Sequence, residues 1–108
     1  MYNIDEEGKF SIVRGDSAVV DLTIMRNDEE YTLQEGDVCV LTVKKSVNDK
    51  DFLIQKPLVN GQFIFVPDDT SGLEYDKYRY DVQFTGADGF VDTIIKPNIF
   101  KVEPEVTW

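Results

Sequence analysis

The chain has 108 residues, the size of one ordinary domain, so a single hydrophobic core is expected and a second has no room. Its hydrophobic fraction of 42% is that of a globular protein, and no apolar run approaches the roughly 20 residues that span a bilayer. Against 11 bases, 21 acids leave a net charge of −10, which repels nucleic acid phosphates and anionic membrane surfaces, so neither is an expected partner. The N-terminus from Met1 to Glu7 is acidic, and no apolar stretch of signal-peptide length follows it. Residues 1–8 are therefore expected to be a loose segment of a chain made in the cytosol.

Helical apolar spacing is missing, whereas period-two alternation rich in Val, Ile, Phe, Tyr and Thr recurs along the chain. Phe10 to Val13 is a first short candidate strand, closed by the turn-forming Arg14-Gly15-Asp16-Ser17. Ala18 to Met25 follows, with Val20, Leu22 and Ile24 on one face and Val19, Asp21, Thr23 and Met25 on the other. Arg26 to Asp37 reads as loop, with a short strand at most around Tyr31-Thr32-Leu33. Val38 to Lys44 is the next strand, its core face carrying Cys39, Leu41 and Val43. Phe52 to Gln55 and Gln62 to Val66 flank a connection in which Asn60-Gly61 signals a turn and Pro57 breaks the ladder. In the second of these every position from Phe63 to Val66 is apolar, and the reading adopted turns Ile64 and Val66 inward.

Pro67 to Leu73 suits one helical turn, since Pro is tolerated at the first helical position and acids favour an N-terminal end. Tyr75 to Thr85 is the longest strand, with Tyr78, Tyr80, Val82 and Phe84 on one face. Gly86 to Gly89 is a hairpin connection leading to Phe90–Ile95, and Asn98–Val102 extends beyond Lys96-Pro97. About seven short strands separated by polar turns indicate an all-β protein. The expected form is an immunoglobulin-like two-sheet antiparallel sandwich made by residues 1–108 as one domain, with one helical turn near 67–73. A partly open small barrel is the alternative. In such sandwiches a Tyr near the start of the penultimate strand turns its hydroxyl back to the chain upstream. Tyr78, preceded by Asp69 and Leu73, has that setting, and serving as one more inward aromatic is its other reading.

With no histidine, the commonest general base and every Ser-His-Asp or Cys-His nucleophile are excluded. Cys39, the single cysteine, lies between Val38 and Val40 and reads as a buried small hydrophobe. Glycine-rich phosphate-binding strings are missing. Asp68-Asp69, Asp81 and Asp92 invite comparison with the paired carboxylates of glycosidases, and Asn48 to Asp51 or Asp68-Asp69 with calcium loops. In so acidic a chain solvated turns account for them, with Asp69 capping the helical turn. Arg14-Gly15-Asp16 matches an integrin-recognised tripeptide but reads as a turn. No catalytic residue, metal site or cofactor is expected, and the chain is not expected to be an enzyme. Tyr31, Tyr75, Phe90 and Trp108 fall at strand ends or turns. Core cover is the adopted reading of the first three, and Tyr75, Phe90 and Trp108 are the aromatics best placed to make contacts.

Several strings taken in order resemble a known family. They are Arg14-Gly15-Asp16-Ser17, Glu35-Gly36-Asp37 leading into Leu41-Thr42-Val43-Lys44-Lys45, Pro67-Asp68-Asp69-Thr70, Tyr78-Arg79-Tyr80-Asp81-Val82-Gln83 and Val91-Asp92-Thr93-Ile94-Ile95. Together, from Phe10 to Thr107, they resemble the immunoglobulin-like module at the N-terminus of phage baseplate upper proteins and of related small tail or prophage proteins of Gram-positive hosts. Where those modules tend to carry Tyr-Gly before the corner tyrosine, this chain has Tyr75-Asp76-Lys77-Tyr78. The resemblance implies a structural role in a virion tail, through contacts with other tail or baseplate proteins or with copies of itself, and no catalytic residues. A carbohydrate-binding or adhesion module stacking sugars on Tyr75, Phe90 or Trp108 is the alternative.

Overall fold

A computed structural model describes residues 2–104. The protein is all-β, built around a six-stranded curled sheet with smaller strand pairs on its inner face. In chain order the described strands are β1 (Tyr2–Ile4), β2 (Phe10–Val13), β3 (Ala18–Asp21), β4 (Ile24–Arg26) and β5 (Glu29–Tyr31). They are followed by β6 (Val38–Lys44), β7 (Ile54–Pro57), β8 (Gln62–Phe65), the helical turn α1 (Pro67–Ser71), β9 (Lys77–Thr85) and β10 (Val91–Glu103). The large sheet has the order β1-β2-β10-β9-β6-β7, while β3 pairs with β8 and β4 with β5.

Central strands β6 and β9 follow the alternation in their sequences. Cys39, Leu41 and Val43 face inward from one, and Tyr78, Tyr80, Val82 and Phe84 from the other, all of them buried. An aromatic cluster fills the middle of the core. Phe10 stacks on Phe100 with centroids 4.8 Å apart, and Phe65 reaches across from β8 to within 5.5 Å of Phe10 and 6.0 Å of Phe100. The edge of Tyr80 closes the cluster at 5.9 Å from Phe10. Such ring pairs add about 0.5–1.5 kcal/mol each beyond the area they bury.

Several expectations from sequence are corrected. The large sheet is mixed, not wholly antiparallel, because β2 and β10 run parallel with Phe10 opposite Phe100 and Ile12 opposite Val102. These strands come from opposite ends of the chain, so no hairpin dictates their direction. The segment expected to be loose, 1–8, is bonded to the sheet over its described residues, 2–8. Tyr2–Ile4 pairs antiparallel with β2, the Asp5 carboxylate accepts the Glu7 and Lys9 amides at 2.9 Å each, and Tyr2 donates its hydroxyl to the Val19 carbonyl at 2.7 Å. On β8 it is Phe63 and Phe65 that point inward, while Ile64 and Val66 are exposed. Register explains the choice, since small Ala18 and Val20 of β3 stand opposite Phe65 and Phe63 and leave room for the rings.

The single strand expected from Ala18 to Met25 is divided, although Val20, Leu22 and Ile24 do face the core. Its first part pairs with β8 and its second with β5, through a two-residue turn in which Asn27 and Asp28 have φ of 50° and 65°. Positive φ at both central positions gives a hairpin turn whose twist matches that of the strands. The stretch read as loop thus contains a hairpin. Strand β7 lies two residues beyond its expected start, leaving Phe52 and Leu53 exposed, and Pro57 sits at its end on the sheet edge, where a missing amide donor is tolerated.

Replacing Phe100 with Ala is expected to lower the free energy of unfolding in a urea titration by about 3–5 kcal/mol. A loss under about 1 kcal/mol would show that the ring cluster does not centre the core.

Candidate interaction surfaces

The turn between β2 and β3 and the segment between β8 and β9 both carry the chain between the large sheet and the β3–β8 pair, and they meet at one corner. Thr70 of α1 is fully buried, and its Oγ1 accepts the Gly15 amide at 2.8 Å. Gly15 has φ of 84°, a conformation in which a side chain would be strained. Its neighbour Arg14 donates to the Leu73 carbonyl at 3.3 Å and to the Tyr75 hydroxyl at 2.7 Å, and its guanidinium lies 4.2 Å from the Tyr75 ring centre. Tyr78 is buried and donates its hydroxyl to the Glu74 carbonyl at 2.9 Å, while half-buried Leu73 packs against the core. Asp69 accepts the Val66 amide at 2.7 Å and pairs with Lys56 at 2.8 Å. Of the three residues read from sequence as a structural corner, Tyr78 and Leu73 thus lie in the segment that Arg14, Gly15 and Thr70 tie down, while Asp69 caps α1 and pairs with Lys56.

Opposite that corner, Asp37 ties the end of the β4–β5 hairpin to the β9–β10 turn. It accepts the Tyr31 hydroxyl and the amides of Gln34 and Ala87, at 2.8 and 3.0 Å. These donors, the tyrosine foremost, hold its carboxyl below the ordinary value and push the Tyr31 hydroxyl above its own. Stability supplied by a carboxyl lowered in this way is present above the ordinary value near 3.8 and is lost as the pH falls through the folded one.

The outer face of the large sheet is ordered into rows by strand register. Ile99, Arg79 and Lys44 lie abreast across β10, β9 and β6, and Lys101 lies beside Lys77 in the next row. Asp81 faces outward beside Thr42, and burial raises its carboxyl, an effect that nearby Lys44 partly offsets. Toward the other end come Thr93, Gln83 and Val40, then Val91, Thr85 and Val38, the two valines of the last row being 55% and 49% exposed. In a chain of net charge −10 this face carries Lys44, Lys77, Arg79 and Lys101 against Asp81 and Glu103. Across the molecule, the outer face of the β3–β8 pair presents exposed Val19 and Ile64 beside Asp21, with exposed Val66 and Asp68 directly following.

Sequence reading missed this division of charge because the cations are divided among three strands and only the register brings them together. Its signal was present at the outward positions of β6 and β9.

The contact aromatics are placed as follows. Tyr75 and Phe90 are exposed and do not cover the core, contrary to the adopted reading. Tyr31 does, its ring edge-on to Phe84 at 5.8 Å. Arg26 lies over Tyr31 at 4.7 Å and reaches Phe90 at 5.8 Å. Trp108 lies outside the described residues. One face of Tyr75 is occupied by Arg14, so the carbohydrate-stacking alternative gains no support from that ring.

Among the described residues no group of metal-ligating side chains converges. Asp81 points outward from β9, whereas Asp92 stands opposite inward-facing Phe84, so the two carboxylates lie on opposite faces of the sheet and form no catalytic pair. A cleft of about 730 Å³ opens between the β4–β5 hairpin and the β7–β8 turn, lined by Leu22, Ile24, Tyr31, Leu33 and Leu58 with Asp21 and Glu30 at its margin. Compared with protein-family models, with curated proteins and with solved structures, the chain matches none.

Cys39 is 2% exposed, and burial pushes its thiol up to about 11. A thiol raised above its unfolded value of 9.0 contributes stability that is complete below that value and disappears as the pH rises toward 11. Unfolding free energy measured from pH 8 to 11 is thus expected to fall above 9, and to fall less in Cys39→Val. Tyr78 and Tyr80, raised mainly by burial, and Tyr31, raised mainly by its bond to Asp37, contribute to the remaining loss. An identical alkaline decline in both proteins would exclude the thiol as a cause.

Proposed function

We propose that the protein is an immunoglobulin-like assembly module of a phage or prophage tail or baseplate, acting through protein–protein contacts and not by catalysis. The observation that carries this reading is the pair of outward sheet faces, each offering exposed apolar side chains, with cations prevailing on the large sheet and Asp21 beside Val19 and Ile64 on the β3–β8 pair. Flat faces of this kind suit packing against another protein surface.

The immunoglobulin-like description is supported by the corner. A tyrosine at the start of the strand after α1 bonds back to the chain four residues upstream, as in sandwich domains of that class. It is supported also by the way the family-like strings Arg14–Ser17, Pro67–Thr70 and Tyr78–Gln83 converge there in one hydrogen-bonded unit. Partners are other tail or baseplate proteins or further copies of the chain, and the net charge of −10 disfavours nucleic acid. No helix among the described residues is long and apolar enough to cross a membrane. The proposed location is the virion tail.

In purified particles from cells producing the phage or induced prophage, the chain is expected at fixed stoichiometry by quantitative mass spectrometry, and its deletion is expected to leave tails incomplete. Complete, infective particles that lack the chain would refute the assignment.

A further inference from the structure

The two outer sheet faces differ in charge in a way that selects one mode of self-contact. On the large sheet Ile99, Arg79 and Lys44 form one row near the end where β9 begins, Lys77 and Lys101 lie beyond it, and the row of Asp81 and Thr42 separates it from Val40. On the β3–β8 side Val19 and Ile64 are about half exposed with Asp21 on the same face, and exposed Val66 and Asp68 follow in the chain. Cations thus outnumber acids on the first face, while aspartate borders the apolar pair on the second.

A two-fold contact would set each face against its own copy, so that a face on which one sign of charge prevails meets another of the same sign, and like charges brought together at an interface cost several kcal/mol. The net charge of −10 adds to that repulsion. Head-to-tail contact sets the cation-rich face against the one that Asp21 borders and covers Val19 and Ile64.

We propose that the basic outer face of the six-stranded sheet in one molecule packs on the acidic outer face of the β3–β8 pair in the next, joining copies of this chain head to tail. The partner is named within the assembly reading given above and rests on it. A heterologous contact of this type closes into a ring if the rotation between copies permits, or continues as a filament if it does not. The β3–β8 face is only two short strands wide, well below the roughly 800 Å² per partner of a standard stable interface, so the isolated contact is weak and gains strength by repetition.

Sedimentation velocity on the full chain from about 10 μM to 1 mM reads the contact directly, a range suited to interfaces at the weak end of the size scale. The sedimentation coefficient is expected to rise with concentration. Reversing the basic face with Lys44→Glu and Arg79→Glu is expected to abolish the rise, as is reversing the acidic face with Asp21→Lys and Asp68→Lys. Circular dichroism of each variant checks that it is folded. An equimolar mixture of the two folded variants is expected to associate again, because each then meets a surface of opposite sign, a recovery that misfolding or general repulsion does not produce.

A wild-type chain that stays monomeric throughout, association untouched by either reversal, or loss in both variants without recovery in the mixture would each overturn the proposal. Particle composition separates this failure from failure of the assembly reading. A chain present in particles but monomeric in solution contradicts only the head-to-tail contact, and one that associates as described but is missing from complete particles contradicts only the tail assignment.

Discussion

The hydrogen bond from the Gly15 amide to the buried Thr70 hydroxyl fixes the relation between the large sheet and the strand pair that covers it. Both crossings at that end of the molecule, the turn after β2 and the segment between β8 and β9, pass through this point. A backbone amide drawn inward at a turn needs an acceptor, and leaving such a group unpaired costs about 1–3 kcal/mol. Thr70 supplies the acceptor from a helical turn held by the Asp69 carboxylate on the Val66 amide and by the Lys56 ion pair. Arg14 and Tyr78 then bind the carbonyls of Leu73 and Glu74, so that most of the segment leading into β9 is committed to the same corner. With that end closed and Asp37 closing the other, the ring cluster of Phe10, Phe65 and Phe100 is held between fixed layers.

This arrangement leaves the outer faces free of structural duty. Their side chains are not needed to fill the core, so charge and apolar surface can vary on them without cost to it. Catalysis finds less footing. The carboxylates that attract notice in the sequence are engaged as caps and pairs, as Asp69 is, or divided between faces, as Asp81 and Asp92 are.

How much was legible beforehand follows from how locally each feature is determined. Strands β6 and β9 have one buried and one outward face over seven and nine residues, so period-two alternation marked their inward sets correctly. Strands β1, β4 and β5 have three residues each, too few to establish a period, and their existence depends on pairing partners. From Phe63 to Val66, at the end of β8 and just beyond it, four successive apolar residues gave no contrast, and the outcome was set by the small residue opposite Phe65 on a different strand. The parallel pairing of β2 and β10 joins the two ends of the chain and has no local signature. The corner was half legible, because Tyr78, Leu73 and Asp69 lie near one another in sequence while Gly15 reaches them only through the fold. The basic face was not legible at all from total charge.

Unfolding free energy of Thr70→Val beside Thr70→Ser tests the corner most directly. Valine keeps the shape and removes the acceptor, and the expected cost is about 1–3 kcal/mol, while serine, which retains a hydroxyl, is expected to lose distinctly less. A Thr70→Val protein as stable as the parent would contradict the claim that the bond between Gly15 and Thr70 holds the layers together.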